Sequence, residues 1–195
     1  VVLEHLYREK RASKSTLARL AQISIPAISN ILEELAAEKR VLNVADEKPS
    51  RGHSSGTWLI APEGDWTLCM SITPTSIECQ LANACMSPKG EYERHTLNAP
   101  HPQALLSAIE QCWHRYRKAW PGHTLNLALG VHGQVDPVTG VSQTMPQAPW
   151  SEPVELKYLL EEKLGIRVRV DNDCVMLALA EKYRGSKADD GANAP

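Results

Sequence analysis

The change of apolar period along the chain constrains its fold more than any other feature. Through about residue 40 the apolar residues recur at helical intervals; from Trp66 onward they alternate in short runs bounded by turn residues, and runs of the two kinds then take turns. Trp66–Ile72, residues 77–84 and residues 92–97 read as three strands in a meander, with "SPKGE" as a turn before the third. Residues 102–119 read as a helix whose apolar face is Leu105, Leu106, Ile109, Cys112, Trp113 and Tyr116. "TLNLALGV" (124–131) is a strand and "HGQVDPVTG" after it a loop; residues 154–164 are a short helix, "IRVRV" (166–170) a strand and 172–183 a helix. The order βββαβαβα predicts an α/β lobe built on a mixed sheet. Ligands of such sheets gather at the carboxyl ends of parallel strands, so residues 130–136 and 171–173 should face one cleft.

The first sixty residues follow a different plan. Residues 3–9 form a short helix, Ser13 caps a second, and Ser24 caps a third with Pro26 in its first turn. Ile28, Ile31, Leu32 and Leu35 make the buried stripe of the third helix, which leaves Ala27, Ser29, Asn30 and Glu33 outward. Two helices joined by the brief break "QIS" carry the spacing of a helix-turn-helix. Val41–Val44 and Thr57–Ile60 then read as two strands around a polar hairpin, a wing. On a DNA reading, Lys14, Ser24, Ala27, Ser29 and Asn30 face the duplex, and Lys48, Arg51 and His53 at the wing tip reach the backbone or minor groove. The same spacing also fits a small helical protein-interaction module with a hairpin.

Charge permits nucleic-acid contact without demanding it. Through Thr57 there are nine Lys/Arg against seven Asp/Glu, which leaves twelve against sixteen of the chain's 21 and 23. No apolar run reaches the roughly 20 residues of a bilayer span. "VVLEHLYREKR" has charges inside its apolar stretch, unlike a secretory signal, so a cytoplasmic location is expected. The five cysteines, Cys69, Cys79, Cys85, Cys112 and Cys174, form no CxxC pair; they are expected to be buried free thiols, with no metal site.

Two long stretches resemble a known family. "LGVHGQVDPVTGV" followed by "VELKYLLEEKLGIRVRVDNDCVMLALAE" resembles the first lobe of ROK proteins (repressors, open reading frames and sugar kinases), and "SKSTLARLAQISIPAISNILEELAAEKRVL" resembles the winged helix-turn-helix of their N-acetylglucosamine and xylose repressor branch. The resemblance runs from about residue 3 to 185. It implies a winged helix-turn-helix over 1–60, one ribonuclease-H-like, actin-like ATPase lobe over 66–185, and a polar, disordered tail over 186–195. ROK kinases grip ATP with an Asp-Ile-Gly-Gly-Thr turn. Here the matching stretch is "SITPT": Ser71 replaces the acid, and Thr73 and Pro74 replace the glycines. Pro74 has no N–H for a phosphate, and added β-carbons block close approach, so the turn should not hold ATP.

The sugar side matches better. By the resemblance Asn172 binds sugar hydroxyls, and Asp173 accepts a hydrogen bond from the hydroxyl that a kinase phosphorylates. Gly133 and, less directly, His132 line the same cleft, and Gln147 stands where many relatives carry an asparagine. The bland alternative is that residues 171–173 only cap the next helix. Asp136 reads as a turn-forming acid, and His132 lacks a partner histidine for a metal. Two departures stand out: relatives often carry arginines where Asn30 and Glu33 stand, and His53 and Ser54 replace the last two residues of the family's Arg-Gly-Arg-Pro wing tip. Family members also continue into a second lobe with a Glu-x-Gly-His motif and a cysteine-rich zinc site, whereas this chain is expected to stop after the first. The resulting expectation is a non-enzymatic, cofactor-free regulator of sugar metabolism, read as a repressor. Its partners would be a double-stranded operator, a sugar or sugar phosphate, and a second copy of itself. A sugar kinase with a DNA-binding head and a truncated remnant are the rivals.

Overall fold

The computed structural model describes residues 1–45, 56–98, 101–148, 150 and 152–184. They fall into two compact units, one holding Val1–Gly64 and residues 182–184, the other Asp65–Glu181. Lys48, Arg51 and His53, expected at a wing tip, and residues 186–195, expected to form a tail, lie outside the described residues.

In the first unit three helices, α1 (Val2–Glu9), α2 (Lys14–Ala21) and α3 (Ile25–Ala37), precede a hairpin of β1 (Val41–Val44) and β2 (Thr57–Ile60). Each helix contributes a fully buried side chain, Leu6, Leu17 and Ile28 with Leu32, and Val41, Trp58 and Ile60 of the hairpin are buried too. Ser13 Oγ accepts the Thr16 N–H at 3.1 Å and Ser24 Oγ the Ala27 N–H at 3.4 Å, so both helices begin where the serines can satisfy amides left without a helical acceptor. Gln22, left-handed at φ 57°, closes α2 and turns the chain toward Ser24. Ala12 exchanges two backbone hydrogen bonds with Trp58, which ties the hairpin to the start of α2. Ser13→Ala should cost this unit about 1 kcal/mol in a urea titration. An unchanged midpoint would mean that the cap contributes nothing.

The second unit is a five-stranded sheet in the order β5-β4-β3-β6-β9. Its strands are β3 (Trp66–Ile72), β4 (Ser76–Ala82), β5 (Pro88–Thr96), β6 (Leu125–Val131) and β9 (Val168–Asn172). β3, β6 and β9 are parallel, and β4 and β5 are antiparallel additions at one edge. Leu68, Met70 and Ile72 of β3, Ile77, Cys79 and Leu81 of β4, and Leu127, Leu129 and Val131 of β6 form one buried cluster with α4 (Pro102–Ala119) and α5 (Leu156–Leu164). Period-two alternation in the strands and the apolar face of α4 meet there, and each such leucine or isoleucine contributes about 1.5–3 kcal/mol on burial. The chain ends its described part in α6 (Asp173–Arg184), on which Val175, Leu177 and Leu179 are exposed.

Three expectations need correction. The stretch read as the loop "HGQVDPVTG" holds half of a small hairpin, β7 (Gln134–Asp136) paired with β8 (Val141–Thr144). Its turn is organised by Asp136, whose Oδ1 accepts the Val138 N–H at 2.9 Å; that bond is the main reason its carboxyl is held below the usual carboxylate range. β5 begins at Pro88 rather than Tyr92: it is an edge strand, where a residue without N–H is tolerated, and Gly90, Glu91 and Tyr92 bulge opposite the single Gln80. Of the five thiols, only Cys79 and Cys112 are buried; Cys69 and Cys174 are exposed and Cys85 is half-buried. Among the described residues, no helix is long and apolar enough to cross a membrane.

Candidate functional site

The carboxyl ends of the three parallel strands lie side by side. Ile72 of β3 pairs with Val131 of β6, which pairs with Asn172 of β9, and the His132 N–H donates to the Ile72 carbonyl at 2.9 Å. Three short segments therefore meet at one sheet edge: the turn after β3, His132–Gly133 after β6, and Asn172–Asp173 after β9.

At β9 the acidic-amide triplet divides its work. Asp171 is buried, accepting the Asn172 N–H at 2.9 Å and the Arg169 guanidinium at 3.3 Å. Asn172 caps α6: its Oδ1 accepts the Val175 N–H at 3.1 Å, and its Nδ2 donates to the Gly133 carbonyl at 2.6 Å. A side-chain amide has two donor hydrogens and two acceptor lone pairs, so each end of Asn172 keeps one position for a ligand. Asp173 Oδ2 lies 3.2 Å from His132 Nδ1, and its Oδ1 accepts the Cys174 N–H at 2.8 Å. This carboxylate–imidazole pair is open to solvent, with side-chain exposures of 28% for Asp173 and 47% for His132. Such a pair can take a hydroxyl proton into a hydrogen bond at the carboxylate and donate or accept at the ring.

Gly133 holds the loop against its neighbour. At φ +110°, a β-carbon there would land on the Thr144 carbonyl oxygen and 2.8 Å from Pro146 Cδ. The close approach sets beside it the turn that carries Gln147, which is exposed and left-handed at φ 66°, with the Ala148 N–H donating to the Met145 carbonyl at 3.1 Å. Gly130 makes the other close approach: its position on β6 faces Met176 Sδ and Asp173 Cα at 3.4 and 3.6 Å from an added β-carbon. The start of α6 thus seats directly on the sheet.

The turn after β3 is closed on itself. Thr73 Oγ1 accepts the Ser76 N–H at 3.0 Å and the Thr75 N–H at 3.3 Å, and the Thr73 N–H donates to the Ser76 carbonyl at 2.9 Å. Pro74 has no N–H. Every amide hydrogen from 73 to 76 is therefore used inside the turn, and none is directed at an outside anion. The missing glycines were legible in the sequence; that the Thr73 hydroxyl gathers the Thr75 and Ser76 amides was not read from it. The signal was present as Thr73-Pro74-Thr75-Ser76, a hydroxyl-led turn sequence.

In the first unit, Ser24 is exposed with its hydroxyl engaged as the α3 cap, and Asn30 is exposed on α3. Ala27 and Ser29, expected to face outward, are only half-exposed. Lys14 Nζ lies 5.8 Å from the centroid of the Trp58 ring. The ammonium leans on an aromatic face there.

Residues 67–191 match the ROK family. Over 186 residues, 95% of this chain, the sequence is 77% identical to Escherichia coli (strain K12) YphH, itself described as uncharacterized. The fold is similar to that of a crystallised ROK family transcriptional regulator, a homologue of the E. coli Mlc protein, with a TM-score of 0.73 over 88% of this chain and 44% of that one at 18% identity. It is also similar to a ROK family glucokinase from Streptomyces griseus in complex with glucose and AMPPNP, with a TM-score of 0.53 over 64% of this chain and 38% of that one at 22% identity. The chain spans about half the length of YphH, 47%.

Proposed function

The chain belongs to the ROK family, and from that premise we propose that it is a DNA-binding transcriptional regulator, read as a repressor, that senses a sugar without phosphorylating it. The observation that carries this reading is the closed turn at 73–76 beside an open Asn172–Asp173–His132 cluster. A site with donors and acceptors for hydroxyls, but no free amides for phosphates, suits a sensor better than a kinase. In it Asp173 orients a sugar hydroxyl, with Asn172, Gly133 and Gln147 around the ring. Without a gripped nucleotide there is no phosphoryl donor for a hydroxyl held at the carboxylate to attack.

The first unit supplies the DNA reader on this reading. Its three helices and hairpin are a winged helix-turn-helix, with Asn30 and Ser29 at base edges, Ser24, Ala27 and Lys14 at the backbone, and Lys48, Arg51 and His53 on the wing. The likeness to the ROK regulator extends over 88% of the chain, against 64% for the glucokinase, which supports this assignment. Two copies would place their α3 helices in successive major grooves of a near-palindromic site. A sugar that binds one spacing of the two heads better than another would then shift the equilibrium between them.

The test is fluorescence anisotropy with labelled DNA from the gene's own upstream region, at fixed salt and against excess unrelated duplex. Saturable binding that survives the competitor is expected. Asn30→Ala should weaken it by about tenfold, the usual scale of one lost base contact. Equal loss to any duplex would leave only phosphate attraction and reject the reading. The kinase reading is favoured by Asp173 alone, and hexose-dependent ADP formation across a hexose panel would replace the present proposal with it.

A further inference from the structure

Away from the sugar cleft, the outer edge of the sheet brings together donor atoms that lie far apart in sequence. Cys79 of β4 stands opposite Glu93 of β5, and Ile77 opposite His95, so Cys79, Glu93 and His95 share the face that packs on α4. Cys112 of α4 closes the group. One ligand atom each from Cys79, His95 and Cys112 lies within 4.8 Å of the other two. We propose that Cys79, His95 and Cys112 bind a single zinc ion that pins the edge hairpin β4–β5 to α4.

The donor set decides the class of ion. Two thiolates and an imidazole suit a borderline-soft cation and disfavour magnesium or calcium, which need oxygen. Zinc–sulfur bonds of about 2.3 Å and zinc–nitrogen bonds of about 2.0 Å put donors about 3.5 Å apart on a tetrahedron, so the group closes by about an ångström at most. Burial differs among the ligands in a useful way. Cys79 is 0% and Cys112 5% exposed, while the His95 side chain, at 34%, leaves a path from solvent.

The surroundings supply what such a site needs beyond its ligands. Glu93 Oε2 lies 3.0 Å from His95 Nε2, the carboxylate–histidine contact that orients a metal-binding ring. Arg115 bonds to Glu93, lies 2.8 Å from His95 Nε2 and donates to Cys112 Sγ at 3.9 Å, so Nε2 is occupied within the protein and Nδ1 is the ring nitrogen left for an ion. The site is distinct from the cysteine-rich zinc site that the family resemblance places beyond the first lobe, and it does not depend on the regulator reading.

The experiment is zinc titration of the reduced full chain against a chromogenic chelator, with cobalt substitution as the spectroscopic readout. One equivalent per chain is expected, with the visible bands of tetrahedral cobalt and a thiolate-to-metal charge-transfer band. Cys112→Ser and His95→Gln should each lower the affinity about hundredfold or more. If Cys112→Ser fails to melt cooperatively, His95→Gln at the half-exposed rim carries the test. No uptake by the reduced chain overturns the proposal. So does uptake unchanged in both variants, which would place the ion on Cys69, Cys85 or Cys174.

Discussion

Gly133→Ala is expected to destabilise the Asp65–Glu181 unit by about 3–5 kcal/mol, the sum of a strained backbone position and an overpacked contact. The residue sits at φ +110°, and the added β-carbon meets the Thr144 carbonyl, Pro146 Cδ and Met145 Cα. Backbone and a proline ring cannot swing aside as a lysine tip can. The Gly133 carbonyl also receives the Asn172 amide at 2.6 Å, so any shift of the loop is felt at the cap of α6. In a thermal melt of the full chain, the transition of this unit should fall by about 10–20 °C. Gly122→Ala is the matched control, because nothing lies within 4 Å of a β-carbon there. A Gly133→Ala midpoint within a degree or two of that control would show that the 133 and 144–146 segments do not touch as described.

Asn172 and Asp173 are neighbours whose substitutions should fail in opposite ways. Asn172→Ala removes the acceptor for the Val175 N–H and the donor to Gly133, at a cost of about 2–3 kcal/mol in stability. Asp173→Ala loses a solvent-open contact to His132 and should cost less than about 1 kcal/mol. For sugar binding the ranking reverses, on the reading that Asp173 accepts a hydroxyl. Hexose affinity by calorimetry should fall by about ten- to a hundredfold in Asp173→Ala, the loss of one charged hydrogen bond. Unchanged affinity for every hexose that the parent binds would leave Asp173 as a surface acid and end the sensor assignment of this site.

Where period and chemistry agreed, the sequence was enough to place the elements. α4 was legible to the residue because its six buried positions recur at helical spacing and proline marks its start. β3 was legible for the matching reason, strict alternation between turn residues, and β1 and β2 as short apolar runs on either side of a polar stretch. β5 was not, because it is an edge strand whose exposed face alternates weakly and whose bulge interrupts the period. The β7–β8 hairpin hid behind Asp136, Pro137 and Gly140, which mark a turn without saying that strands flank it. At the ends of β6 and β9 the competition between cap and ligand had no answer in spacing; the fold gives the cap to Asn172 and leaves Asp173 facing His132. The thiol–imidazole cluster was invisible for a simpler reason. Its members are 16 and 17 positions apart and come from β4, β5 and α4, so only strand register and helix packing could assemble them.

The closed turn at 73–76 resists opening by single substitutions. A glycine at 74 alone would return one N–H but leave the Thr75 and Ser76 amides on Thr73 Oγ1. A glycine at 73 alone would release those two amides while Pro74 still offered none, and it would remove the bonds that hold the turn. Neither single step yields a phosphate grip, and the second destabilises what is there. The turn is therefore self-locking: no single glycine substitution frees all of its amides at once.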